Sequence, residues 1–256
     1  MNAEILAAGS ELLTPDRQDT NSLYLTGQLN ALGVEVVAKG VVGDDRALMA
    51  ELIATSLRRS ELLIITGGLG PTEDDVTRDA AALALGRRLH FDEQVCEAIR
   101  QRFSRMKREM SEVNRRQAFV LEGAQILPNG RGTAPGQWIE EAGRIVILLP
   151  GPPREMQAMF ELECLPRLRR LVPPLVIRTA ELRVAGMPES DLDQLISPVY
   201  TKYSNPVTTI LASPGEIQIH LRARCATGEE AQTLLDEVVS QLEPLLGDRL
   251  LSRNGE

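Results

Sequence analysis

Residues 62–66, LLIIT, carry no charge and no alternation of polar with apolar side chains. A strand apolar on both sides must be buried on both faces, and in a parallel sheet it needs a crossover helix on either side. The flanking sequence supplies both. GDDRALMAELIATSLRRS (43–60) places Met49, Leu52, Ile53 and Leu57 at helical spacing behind Asp44 or Asp45 as N-cap. After the strand, Val76, Ala80 and Leu83 mark a second helix that stops at Gly86. Upstream, EILAA (4–8) and the valine-rich VEVVAKGVV (34–42) read as strands. Between them a helix is predicted over 22–32, with Leu25, Leu29 and Leu32 on one face, Asn21 or Ser22 as N-cap and Gly33 as its stop. A basic helix is expected over 93–109. GRIVILLP (143–150) supplies another buried strand, leading into a turn and helix at GPPREMQAMFE. The fold class that follows is α/β, a mainly parallel sheet with helices on both faces.

The first domain is expected to span 1–170, ending before a VPP turn at 172–174. Residues 171–256 have another rhythm. LVIRTAELRVAG (175–186) alternates like a strand, ESDLDQLISPVY (189–200) reads as a helix, and VTTILA with EIQIHLRAR pair as a hairpin around SPGE. A helix over 229–246 then offers Leu234, Leu235, Val238, Val239 and Leu242 for burial. This β-α-β-β-α order is that of a small α+β domain.

Composition narrows the function classes. A net charge of −8 over 256 residues argues against direct nucleic-acid binding. The arginines of IRQRFSRMKRE (99–109) and NRRQ (114–117) fit a solvated helix face, or an electropositive rim that draws in an anion. No apolar run reaches the roughly 20 residues of a membrane span, and MNAEILAAGSELL lacks the basic start of a signal peptide. No membrane association and a cytoplasmic location are expected. The three cysteines are far apart and there are only two histidines, so any metal should be held by oxygen, as magnesium-like ions are.

The loop after LLIIT is TGGLGPTEDDVTRD (66–79). It lacks the lysine of a P-loop and the spacing of a dinucleotide fingerprint. It offers bare backbone, the Thr72 hydroxyl and the Asp74–Asp75 pair, a combination that suits a phosphate bridged to a carboxylate by a divalent cation. The same spacing also suits a glycine turn with Asp74 or Asp75 as helix cap. Other polar loops follow strands or precede helices: GSELL (9–13) with Glu11, DTN (19–21), GDD (43–45), NGRGTAPG (129–136) and PGPPRE (150–155). Doubly wound folds place ligands at such strand ends.

In this order, GSELL, DTN, VGDD, TGGLGPTEDDVT, NRRQA, GTAPG and LPGPPREM resemble the competence/damage-inducible CinA family over essentially the whole chain. The first domain looks like the molybdopterin-binding sandwich of the MoaB/MogA type, the second like the family's KH-like domain. The resemblance implies hydrolysis of ADP-ribose, or a related nucleotide, to AMP and ribose 5-phosphate with magnesium, manganese or cobalt, and potassium as a further ion. Carried onto this chain, substrate-binding positions are Gly67, Gly68, Gly70, Thr72, Glu11, Asn21, Thr133 and Gly136. Catalytic positions are Asp74, Asp75, Asp44 and Glu155; beyond the resemblance, our own reading gives the metal to Asp74 or Asp75 and assistance of the attacking water to Asp44 or Glu155. The alternatives are a molybdopterin- or nucleotide-binding module without turnover, and an interaction protein linked to competence or DNA damage. AGMPESD (185–191) has no GXXG tetrapeptide of a nucleic-acid-binding KH module, so the second domain is expected to serve packing or homodimer formation. Relatives that continue into a nicotinamide-nucleotide amidase domain do so beyond RNGE, so amidase chemistry is not expected from these residues.

Overall fold

Four parallel strands form the centre of the first unit in the computed structural model, which describes residues 1–172 and 175–254. They are β1 (Asn2–Ala8), β2 (Glu35–Val42), β3 (Leu62–Thr66) and, later in the chain, a strand at Arg144–Leu149. The connecting helices are α1 (Thr20–Ala31), α2 (Arg46–Arg59) and α3 (Thr77–Leu85). A ribbon of β4 (Leu89–Phe91) and β5 (Phe119–Leu121) brackets α4 (Glu93–Arg105), and β6 (Gln125–Leu127) and β7 (Gly136–Glu141) precede the fourth parallel strand, β8. The sheet order is β2-β1-β3-β8-β7-β6, with β7 antiparallel to both its neighbours. After β8 come α5 (Pro153–Met159), one wider turn at Phe160–Cys164 and α6 (Leu165–Leu171).

Both faces of the sheet are covered. Leu6, Ala8, Leu63, Ile65, Val146 and Leu148 pack with Met49, Ala50 and Ile53 of α2 and Ala80–Ala82 of α3. The alternate residues Ile5, Ala7, Leu62, Ile64 and Ile147 point the other way and are equally buried, as are Leu25 and Leu29 of α1 and Met156 and Leu168 of α5–α6. Tyr24 Oη on α1 donates to Glu161 Oε1 at 2.5 Å, tying these helices together. Leu83 departs from expectation: it is 53% exposed, and Ala80, Ala81 and Ala82 form the apolar buried face of α3 instead. The basic helix is shorter than predicted, ending at Arg105, where the chain turns through a left-handed Lys107.

The chain divides into Met1–Asn30 with Val34–Val172, and Ala31–Gly33 with Pro173–Glu256. Residues 173–174 of the expected VPP turn and the last two of RNGE lie outside the described residues. The second unit is an antiparallel sheet in the order β10-β11-β9-β12, built from β9 (Val176–Val184), β10 (Val207–Ser213), β11 (Glu216–Cys225) and β12 (Leu250–Arg253). Its helices are α7 (Glu189–Tyr200) and α8 (Gly228–Leu246). Thr227 and Glu230 close a reciprocal capping box on α8, and Leu235, Val238 and Leu242 bury against Leu182, Ile219 and Leu221. β12 is an addition to the β-α-β-β-α order read from sequence.

Glu4 is the one charged side chain buried within β1, only 1% exposed. Arg59 Nε and Nη2 donate to its two oxygens at 2.6 and 2.8 Å, and Ser56 Oγ donates at 2.8 Å. Burial pushes the carboxyl pKa up, but the Arg59 and Ser56 hydrogen bonds and the Arg59 charge outweigh it and leave it lowered from 4.5. A lowered folded pKa contributes stability above the unfolded value that is lost as pH falls through the folded one. Glu4→Gln should therefore cost about 2 kcal/mol in urea unfolding at neutral pH. The gap from the unsubstituted chain should narrow as pH drops below 4.5.

Candidate active site

The paired ends Ala8↔Val42, Ala7↔Thr66 and Thr66↔Leu149 bring the C-termini of β2, β1, β3 and β8 to one edge. The chain leaves β1 toward β2 and returns across it to β3, so loops diverge above β1 and β3, the switch point where open α/β sheets bind ligands. A cleft of about 880 Å³ lies there, a size suited to a nucleotide. Of the residues singled out in the sequence, it is lined by Glu11, Asn21, Asp44, Gly67, Gly68, Gly70, Asp74 and Asp75. Asp16, Arg17, Gln18 and Asp19 from the loop after β1 line it as well.

The loop Gly67–Asp75 is held from beneath. Gly67 has φ 105°, and a Cβ there would lie 2.1 Å from Ala8 O; at Gly68, φ 63°, it would lie 2.2 Å from Thr77 Oγ1. Only glycine fits either position. Thr77 Oγ1 donates to Gly67 O at 2.8 Å and Thr77 N–H to Gly68 O at 3.2 Å. Arg78, 3% exposed, sends Nη1 to Leu69 O and Nη2 to Gly70 O at 2.7 and 2.8 Å. Burial lowers its pKa to about 10, against the opposing charges of Asp75 and Asp79, so the guanidinium stays charged at neutral pH. All four carbonyls of Gly67–Gly70 thus turn toward α3. Gly68 N–H has no partner among the described residues.

The two carboxylates have different places. Asp75 is half-buried, accepting from Gly70 N–H at 2.7 Å, Thr72 N–H at 2.8 Å and Thr72 Oγ1 at 2.5 Å. Its oxygens are engaged in closing the loop, a scaffolding part beyond the metal-ligand role expected from sequence. Neither aspartate caps α3, whose N-cap is Val76 without a side-chain bond. Asp74 is exposed, and the nearby Thr72 hydroxyl, whose proton goes to Asp75, together with Asp74's own backbone N–H holds its carboxyl pKa below the ordinary value. Thr72 itself sits on the exposed loop, engaged with Asp75 outside the cleft lining.

Asp44 accepts from Ser10 N–H at 2.9 Å while its own N–H donates to Ser10 Oγ at 3.0 Å, joining the loops after β1 and β2. Asp45 is the α2 cap, accepting from Ala47 and Leu48 N–H. Glu11 folds back over Gly9, where a Cβ would meet its Oε2 at 2.4 Å. Asn21, 9% exposed, does not cap α1; Asp19 accepts from Ser22 N–H instead. Asn21 Nδ2 donates to Thr66 Oγ1 at 2.9 Å and Gly151 O at 2.8 Å, so it fastens β3 to the loop after β8, and its Oδ1 is buried without a partner.

Three expected site residues lie elsewhere. Glu155 accepts from Asn129 Nδ2 at 2.7 Å and fills the space above Gly132, where a Cβ would lie 1.8 Å from its Oε2. It braces the loop before β7 and is not among the cleft residues. Thr133 lines a separate pocket of about 280 Å³ with Ile99, Arg102 and Ile126. Gly136 is buried in β7, where a Cβ would meet Met159 Sδ at 2.5 Å and Leu148 O at 2.6 Å; it is a packing glycine.

No group of three or more His, Cys, Asp or Glu converges as a metal cage among the described residues. An ion of the magnesium type would not need such a cage, since it keeps several waters and takes one or two carboxylates together with substrate phosphates.

Asp75→Asn should speed amide exchange at Gly70 and Thr72 by about tenfold, the loss of roughly one charge-assisted hydrogen bond. Asp74→Asn should leave those amides unchanged. Equal effects of both substitutions, read by hydrogen-exchange mass spectrometry, would contradict the different roles assigned to them.

Sequence comparison places these features in a family. Residues 4–170 match the family described as "Probable molybdopterin binding domain", and residues 179–250 match "Damage-inducible protein CinA KH domain". A CinA-like protein of Solibacter usitatus is 65% identical across the whole chain, which covers 62% of that relative. A putative competence-damage inducible protein of Geobacillus kaustophilus is 42% identical across the whole chain, covering 62% of its length. The chain thus spans less than two thirds of these relatives. The solved structure of the protein CinA of unknown function from Thermoplasma acidophilum is 30% identical, with a TM-score of 0.59, over 63% of this chain and 95% of that one. With a molybdopterin-binding-type α/β domain followed by a CinA KH domain, the chain belongs to the CinA-like, competence-damage inducible family.

Proposed function

We propose that the cleft binds a nucleotide through its pyrophosphate and hydrolyses it, taking ADP-ribose to AMP and ribose 5-phosphate. The observation that carries this reading is the clasped glycine loop, with a free Gly68 N–H, facing carboxylates at the switch point. Backbone N–H groups bind and orient phosphate oxygens. Water attacks one phosphorus, the bridging P–O bond breaks, and the second phosphate leaves with that oxygen. A divalent cation, when bound, neutralises phosphate charge and lowers the pKa of the water. Asp74 would hold it. Asp44, fixed by Ser10, and Glu11 are the carboxylates left to accept the proton of the attacking water. Glu155 has no part in this step, being engaged with Asn129.

A second reading, which the match to a molybdopterin-binding domain supports, is a module that holds a pterin or nucleotide without turnover. The names of the relatives add a third, an interaction protein of competence or DNA-damage responses, for which cleft substitutions would be silent.

Incubation with ADP-ribose and magnesium, manganese or cobalt should release AMP, followed by chromatography. Asp74→Ala should lower kcat at least about a hundredfold, as expected for a cation ligand. Saturable binding by calorimetry without AMP release from folded protein with any of the three metals would select the binding module instead.

A further inference from the structure

The cleft is lined by six carboxylates, those of Glu11, Asp16, Asp19, Asp44, Asp74 and Asp75, and by one cationic side chain, Arg17. A guanidinium among so many acids would be expected to pair with one of them. Arg17 does not. Asp16 precedes it directly and Asp19 follows two residues later, yet Arg17 has no hydrogen bond or ion pair among the described residues. Asp19 is engaged with Ser22 N–H, and Asp44 and Asp75 with other backbone groups. The Arg17 fork is exposed and open at the cleft wall.

Arg17 stands on the loop after β1, whereas Gly68 N–H stands on the loop after β3. These strands are adjacent and parallel, and Ala7 pairs with Thr66 at their ends. Both groups line the same cleft, so an extended anion held at one can reach toward the other. The cleft therefore carries two independent anion receptors of different chemistry, a backbone N–H just after β3 and a guanidinium on the long loop between β1 and α1. We propose that Arg17 is a specificity-determining residue that grips the second phosphate of a diphosphate whose first phosphate lies on the glycine loop, so that the site selects nucleoside diphosphates over monophosphates. This rests on the reading of the cleft as a nucleotide site, and it names how a substrate is told from a monophosphate product. The six carboxylates sharpen the selection. Each added phosphate is repelled by them, so a diphosphate is favoured over a monophosphate only where a cation meets the extra charge.

The test is a calorimetric comparison of ADP and AMP at one magnesium concentration, with the unsubstituted chain, Arg17→Ala and Arg17→Lys. The unsubstituted chain should bind ADP about tenfold or more tighter than AMP, the worth of one bidentate charge-assisted contact. Arg17→Ala should bring the two affinities within about threefold while leaving that for AMP unchanged, and Arg17→Lys, which keeps the charge but not the fork, should fall between. Because Arg17 is exposed, the thermal midpoint should not move. A preference for ADP that survives Arg17→Ala overturns the assignment while leaving the nucleotide site standing. Equal weakening of ADP and AMP also overturns it. Failure of the unsubstituted chain to bind either nucleotide overturns both this assignment and the nucleotide reading.

Discussion

The buried fork of Arg78 on two successive carbonyls is the contact on which the ligand edge depends. A loop of glycines has no side chains with which to hold itself, and its conformational freedom opposes any fixed geometry. Arg78 turns Leu69 O and Gly70 O inward, Thr77 does the same for Gly67 O and Gly68 O, and Asp75 closes the other side. A buried guanidinium is expensive to desolvate, and Asp75 and Asp79 supply the compensating charge. The loop is therefore organised before any ligand arrives. Its acidic content is divided in two: Asp75 is consumed as scaffold, and Asp74 is left in water.

The sheet beneath was legible where the physics is one-dimensional. LLIIT has no polar face to show, so only a central strand fits it, and β3 spans those five residues. Hairpin and helices of the second unit are equally readable, since β11 alternates strictly and the turn before it carries Gly215. The segment 119–141 was harder. Its strands β5 and β6 are three residues each, too short for a period to emerge, and β7 starts on a glycine that resembled loop.

The same limit explains the candidate site. Loops after parallel strands could be placed at one edge from the strand order, and Glu11, Asn21, Asp44, Gly67, Gly68, Gly70 and Asp74 meet there. Roles within the loops were not legible, because a carboxylate that latches and one that faces solvent look alike in sequence. Asp74 and Asp75 differ only in which way one peptide turns. Asn21 was read as a cap, whereas its amide serves Thr66 and Gly151, a choice that exists only once three chain segments converge. Arg78 carries no signal in the sequence, since a helical arginine is ordinarily a surface residue.

One consequence follows from the reversed direction of β7. A strand running against its neighbour delivers its entrance, not its exit, to the ligand edge, so residues 129–135 arrive beside the loops of the parallel strands without a crossover helix. They are fastened by Asn129, which holds Ala134 O and Glu155, and by little of the sheet itself. Insertions or deletions there can be absorbed on the β6 arm, at the sheet's margin, while the four parallel strands keep their register. The architecture thus separates a floor of parallel strands from a rim that can change in length without disturbing it.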